Sequence, residues 1–74
     1  MPVKLSDLAL HQTAVIVRVD DTETRLGEIG FIPGEQVCII ARAFFNGPLA
    51  VRVGSSTFAL RREEADLIWV SEKI

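Results

Sequence analysis

The sequence lacks several features that mark particular protein classes. Its 74 residues include one cysteine, Cys38, so the chain cannot form an internal disulfide, as is usual in a reducing compartment. No apolar run approaches the roughly 18 residues of a membrane span, and the first residues lack the apolar stretch of a secretory signal. These absences predict a soluble cytoplasmic protein made of one domain, residues 1–74.

Positive charge is also scarce. Eight lysines and arginines against ten aspartates and glutamates give a formal net charge of −2. Nucleic-acid-binding domains usually carry a basic patch, and anionic membrane surfaces attract basic segments. The charge balance therefore argues against nucleic acid as a partner and against direct contact with a membrane.

What the sequence does contain is a series of short apolar runs with a period of two, separated by turn residues. This pattern is typical of a small barrel or sandwich. A helical turn is expected to lay Leu5 and Leu8 on the body of the domain. Alternation in the second strand predicts that Val37, Ile39 and Ala41 face one way and the residues between them the other. Helical segments are predicted at 23–29 and 61–66, and strands at 14–19, 35–42, 49–53, 56–60 and 67–70. The order of elements predicts a mainly β fold, a small SH3-like five-stranded barrel with one or two short helices.

Residues for catalysis or metal binding are few. The sequence contains no Gly-rich phosphate loop, hydrolase motif or paired carboxylates, and a small barrel has no interior pocket, so we predict no enzyme, no catalytic residue and no cofactor. A structural metal site needs about four ligands. His11 is interpreted as a surface loop residue, with metal ligation as the alternative. Cys38 is interpreted as a small buried apolar residue, with redox or metal chemistry as the alternative. The acids at 20–21 and 63–64 are interpreted as helix N-terminal charges, with loose cation binding as their alternative.

Three motifs in order resemble one known family. They are Arg25-Leu26 followed by Glu28-Ile29-Gly30-Phe31-Ile32-Pro33-Gly34-Glu35-Gln36-Val37; Gly47-Pro48-Leu49 followed by Val51 and Val53; and Ala59-Leu60-Arg61-Arg62-Glu63-Glu64-Ala65 followed by Ile68 and Val70. Together they resemble the ferrous iron transport protein A (FeoA) family, an SH3-like domain. The same module is similar to the C-terminal domain of iron-dependent and manganese-dependent repressors. The chain departs from the family at 11–13, where a Gly is common, and at Gly27, which interrupts the first helix.

The resemblance implies a small cytoplasmic adaptor or regulatory protein of bacterial ferrous iron uptake. Its partner would be the cytoplasmic GTPase domain of the membrane transporter FeoB. The alternative is a free-standing metal-sensing or metal-carrying module related to the repressor domain. Trp69 is predicted to lie on the face opposite Ile68 and Val70. One interpretation is that it belongs to the surface of a weak homodimer, and the alternative is that it simply lies on the hairpin.

The residues also predict a partner-binding surface. Phe44 and Phe45 stand beside the turn at 46–48, in a loop that is normally polar, so at least one is expected to be an exposed aromatic anchor. The alternative is that both cover an open end of the barrel. Three arginines are expected to rim the surface and pair with acids on a partner, with a solvated or helix-dipole role as their alternative: Arg25, Arg61 and Arg62.

Overall fold

The computed structural model describes residues 1–20 and 25–72, which form one antiparallel sheet with short helical elements around it. The elements are β1 (Val3–Lys4), the 3₁₀ turn η1 (Leu5–Asp7), β2 (Thr13–Val19), α1 (Arg25–Glu28), β3 (Gln36–Arg42), β4 (Leu49–Val53), β5 (Ser56–Leu60), α2 (Arg62–Ala65) and β6 (Ile68–Ser71). The first part of the helix predicted at 23–29 lies outside the described residues. Within the described ranges, no helix has the length and apolar character needed to cross a membrane.

The sheet curls on itself. Its strand order is β1-β6-β2-β3-β4-β5, and all neighbours are antiparallel. The molecule measures 28 × 27 × 24 Å, whereas sheet layers pack only about 10 Å apart. Six antiparallel strands around one buried cluster confirm the predicted mainly β fold, and the nearly equal dimensions fit a curled rather than a flat sheet. The structure adds β1 to the five predicted strands, because two residues are too few to show an alternating pattern.

The core is built from almost every element. In β4 the alternation is confirmed, because Leu49, Val51 and Val53 are all buried. The buried apolar residues form one cluster: Leu5, Leu8, Ala14, Ile16, Leu26, Phe31, Val37, Ile39, Leu49, Val51, Val53, Leu60, Ala65, Ile68 and Val70.

The alternation predicted for β3 is wrong at Ala41, which is exposed. The register with β4 shifts between Ile39 and Ala41, so a β-bulge inserts one extra residue and reverses the direction of the side chains that follow. Beyond the bulge, Arg42 pairs with buried Leu49. Directly opposed residues share a face of the sheet, so the bulge places Arg42 on the same face as Leu49, at the end of β3, where it remains exposed.

Arg42 and a buried serine connect the first helical turn to the rest of the molecule. The guanidinium of Arg42 donates to the carbonyl of Ser6, 3.3 Å from Nη1, and to the carbonyl of Leu8. The Ser6 hydroxyl, which is buried, donates to a carboxylate oxygen of Asp66 at the end of α2. These bonds fix η1 against β3 and α2.

Candidate partner-binding surface

The loop at 43–48 joins β3 to β4 in a tight turn. The Ala43 N–H donates to the Pro48 carbonyl (3.1 Å), and the Gly47 N–H donates to the Phe44 carbonyl (3.2 Å). A Cβ on residue 47 would lie 2.8 Å from the Cβ of Ala43, so only glycine fits there. Phe45 and Asn46 both have left-handed backbones, with φ of 60° and 59°. This conformation is uncommon for a bulky side chain and is fixed by the turn around it.

The turn directs both aromatic rings into solvent. Phe44 is 89% exposed and Phe45 is 100% exposed. The prediction that at least one is exposed is confirmed, and the alternative that both cover an open end of the barrel is wrong. Two adjacent exposed phenylalanines form an apolar patch of the kind that protein interfaces favour.

The arginines gather around α2. Arg61 precedes the helix in an extended conformation, and its N–H donates to Oε1 of Glu64 (2.9 Å), which satisfies a free helix N–H. Oε2 of the same carboxylate forms an ion pair with Arg25 of α1. Arg62 is the first residue of α2 and is half-buried. Arg25 is therefore already paired within the chain, whereas no ion-pair partner of Arg61 is recorded in the described ranges.

The sheet register places the aromatic loop and Arg61 at one end of the barrel. Arg42 pairs with Leu49, and Leu49 pairs with Leu60. The loop at 43–48 therefore leaves the sheet at the same end as residue 61. Arg25 and Arg62 are placed around Glu64 and α2, and no bond joins any of the three arginines to Phe44 or Phe45 in the described residues, so their role at a rim stays a prediction.

The candidate metal ligands stand apart. His11 is exposed in a turn with φ of 68°, and its N–H donates to the Ile39 carbonyl (2.7 Å). Cys38 is half-buried on the outer face of β3, so the prediction that it is a buried residue is wrong. Of the acids at 20–21, residue 21 lies outside the described residues. Across residues 1–20 and 25–72, no group of three or more His, Cys, Asp or Glu side chains is placed to hold a metal ion.

Trp69 is held in a cluster that the sequence analysis missed. Its indole Nε1 donates to Oδ2 of Asp20 (2.9 Å), and the Arg18 guanidinium lies over the ring, 5.0 Å from its centroid. The Nζ of Lys4 lies 5.9 Å from the same centroid. Arg18 and Asp20 are two positions apart along the chain, a spacing that puts both on one face of an extended segment and could have signalled the cluster.

Comparison with known proteins identifies close structural relatives. A family model described as the FeoA domain matches residues 3–72. FeoA from Stenotrophomonas maltophilia, solved with zinc and described as a prokaryotic SH3 domain protein and candidate ferrous iron transport activating factor, is 39% identical; the match covers 93% of this chain and 89% of that one, with a TM-score of 0.83. Iron(II) transport protein A from Clostridium thermocellum is 35% identical over 92% of this chain and 44% of that one, with a TM-score of 0.85.

A second kind of relative is a regulator of transcription. A manganese-dependent transcriptional repressor is 25% identical and covers 93% of this chain, with a TM-score of 0.82. The match takes up 40% of the repressor, so this chain corresponds to less than half of it. Among curated protein sequences, none matches the chain significantly. The solved relatives confirm the SH3-like fold.

Proposed function

Because the chain belongs to the FeoA domain family, we propose that it is a one-domain cytoplasmic adaptor of ferrous iron uptake. It acts by binding, without catalysis, and its partner is the cytoplasmic GTPase domain of a FeoB-like transporter. The similarity to FeoA from Stenotrophomonas maltophilia, which is described as a candidate ferrous iron transport activating factor, supports a role in ferrous iron uptake. The exposed aromatic surface at residues 43–48 supports action by binding a partner protein.

The exposed aromatic pair carries the proposal. Burying a phenylalanine side chain contributes about 1.5–3 kcal/mol, and Phe44 and Phe45 are almost wholly available for burial. The loop that holds them is fixed by two backbone hydrogen bonds and by the restriction of residue 47 to glycine. A preorganised loop loses less conformational freedom on binding, so more of this free energy contributes to affinity.

Arg61 would orient the partner. Its side chain has no recorded ion-pair partner among the described residues, and it lies at the same end of the sheet as the aromatic loop. A charge at the rim of an interface mainly raises the association rate and selects partners with acids in the matching position. Arg25 contributes less in this arrangement, because Glu64 already neutralises it.

The proposal is tested with the double variant Phe44→Ala, Phe45→Ala. We expect its affinity for the isolated transporter GTPase domain to fall by about 100-fold or more in calorimetry, because two aromatic anchors are removed. Its thermal midpoint should stay unchanged, because neither ring contributes to the core. The matched control is Leu10→Ala with Ile32→Ala, which removes two exposed apolar side chains elsewhere, 46% and 45% exposed. Equal binding by the double variant, or its unfolding, would contradict the proposal.

A metal-sensing or metal-carrying module is the second candidate. The similarity to a manganese-dependent repressor favours it, as does the zinc in the Stenotrophomonas maltophilia structure. The candidate ligands in this chain are His11 and Cys38, neither of which belongs to a cluster in the described ranges. Titration with ferrous or zinc ion, followed by NMR, separates the two functions. Micromolar binding that shifts His11 or Cys38 would support the metal module.

A further inference from the structure

The two edges of the sheet are built differently. β1 has two residues, carries Lys4 and follows Pro2. Short length, lysine and proline are the devices with which natural proteins prevent an edge from pairing with another chain. β5 has five residues, none of them charged or proline, and its ladder with β4 contains no register shift. The edge at β5 therefore lacks the protection that the edge at β1 has.

The hairpin geometry determines which backbone groups of β5 are free. Val53 pairs with Ser56 across the two-residue turn at 54–55, and φ of 59° at Gly54 fits a type II′ turn. The residues that flank such a turn exchange hydrogen bonds, and bonded pairs alternate along an antiparallel ladder. The N–H and C=O groups of Thr57 and Ala59 consequently point away from β4. Both residues are exposed, and no backbone partner on the outer side is recorded for either in the described part of the chain.

The surroundings of the β5 edge are charged near its end. A groove of about 450 Å³ lies against Ala59, which is the β5 residue that lines it. Its other walls are side chains of α1 and α2 and of the residue before α2: Arg25, Arg61, Glu63 and Glu64.

We propose that β5 pairs with β5 of a second copy of this chain, antiparallel and about a two-fold axis at Phe58. This register pairs every residue of the strand, because Phe58 lies opposite Phe58, Thr57 opposite Ala59, and Ser56 opposite Leu60 of the second copy. The free backbone groups of Thr57 and Ala59 then bond to each other. The two Phe58 side chains form a close, non-hydrogen-bonded aromatic pair, and each is only half-buried in the single chain.

Charge complementarity favours a second copy as the occupant. The same register places Ser55 opposite Arg61 of the second copy, and Arg61 is still in an extended conformation. The Glu35 carboxylate stands beside this turn, with Oε2 3.9 Å from the position that a Cβ on Gly54 would take. Neither Glu35 nor Arg61 has a recorded ion-pair partner in the described residues. Symmetry therefore brings Glu35 of each copy toward Arg61 of the other.

The pairing is tested by sedimentation of the full chain from about 10 µM to about 1 mM, because an interface of one short strand is expected to be weak. The mean mass should rise from one chain toward two. Thr57→Pro removes an edge-facing N–H without removing a hydrogen bond of the β4 ladder, and Ala59→Lys places a charge in the contact, so each should raise the dissociation constant at least about tenfold. Thr13→Lys, on an inner strand, is the matched control and should dimerise like the parent.

A charge exchange tests the register. Glu35→Arg or Arg61→Glu alone should weaken the dimer about three- to tenfold, and the two together should restore it. In NMR, exchange of the Thr57 and Ala59 amide protons should slow as the concentration rises. Circular dichroism checks that Thr57→Pro is folded. If it is unfolded, the result for Ala59→Lys alone decides the test. A chain that stays monomeric at 1 mM, a dimer unaffected by Ala59→Lys, or protection confined to another strand would overturn the proposal.

Discussion

The four phenylalanines divide into two pairs with opposite surroundings. Phe31 is 1% exposed, and its ring lies 5.9 Å from that of half-buried Phe58, at an interplanar angle of 58°. Phe44 and Phe45 are in solvent. All four side chains are equally apolar, so hydrophobicity does not explain the difference. It follows from the backbone: Phe31 and Phe58 are carried by segments that close on the core, whereas Phe44 and Phe45 belong to a turn of fixed conformation that directs them outward.

The comparison separates residues that stabilise the fold from residues that are available to a partner. An apolar side chain in the first pair contributes free energy when the chain folds. One in the second pair contributes free energy only when another molecule covers it. Substitutions in the two pairs should therefore affect stability and binding independently.

Phe31→Ala should have the largest effect on stability. It removes a fully buried ring and leaves a cavity beside Phe58, so the free energy of unfolding should fall by about 3–5 kcal/mol. For a domain of this size such a loss approaches the total stability. Urea denaturation followed by circular dichroism measures it. A loss below about 1 kcal/mol would show that the ring does not contribute to the core as the structure indicates.

Phe58→Ala should have an intermediate effect. Its ring is half-buried, and part of it is already in contact with water, so we expect a loss of about 2 kcal/mol. Measured at low protein concentration, this value reports on the single chain alone. A loss equal to that of Phe31→Ala would mean that the edge strand is more deeply packed than its exposure suggests.

Phe45→Gly should have the smallest effect on stability. The effect should also be opposite in sign to those of the Phe31 and Phe58 substitutions. Glycine adopts φ near 60° without strain, so the variant should be as stable as the parent or more stable by up to about 1 kcal/mol. Binding to the transporter domain should weaken because the ring is gone. Thermal denaturation and calorimetry on one preparation test both parts. A clearly destabilised Phe45→Gly would contradict the assignment of this side chain to solvent.

The alternating pattern predicted the central strands and the inward side of β4 correctly. It failed at Ala41, because a bulge reverses the alternation and leaves no trace in composition. It also missed β1, whose pairing with β6 depends on tertiary contacts. The turn at 46–48 was evident from Asn-Gly, and this is why exposure of the aromatic loop could be anticipated. The ion pair between Arg25 and Glu64 could not be anticipated, because the two residues are far apart in sequence and no local pattern indicates that they meet.

The hydrogen bond between Ser6 and Asp66 has a consequence for biosynthesis. It joins residues 60 positions apart, and the neighbouring pair Val3 and Val70 is similarly distant. Such non-local contacts form only after the intervening chain has been ordered, which slows folding. On the ribosome, β1 has no partner until the codons for β6 have been translated and the segment has left the exit tunnel. The sheet is therefore complete only after synthesis of residue 70, and a nascent chain stalled before that point would leave β1 and the β6-facing edge of β2 unpaired.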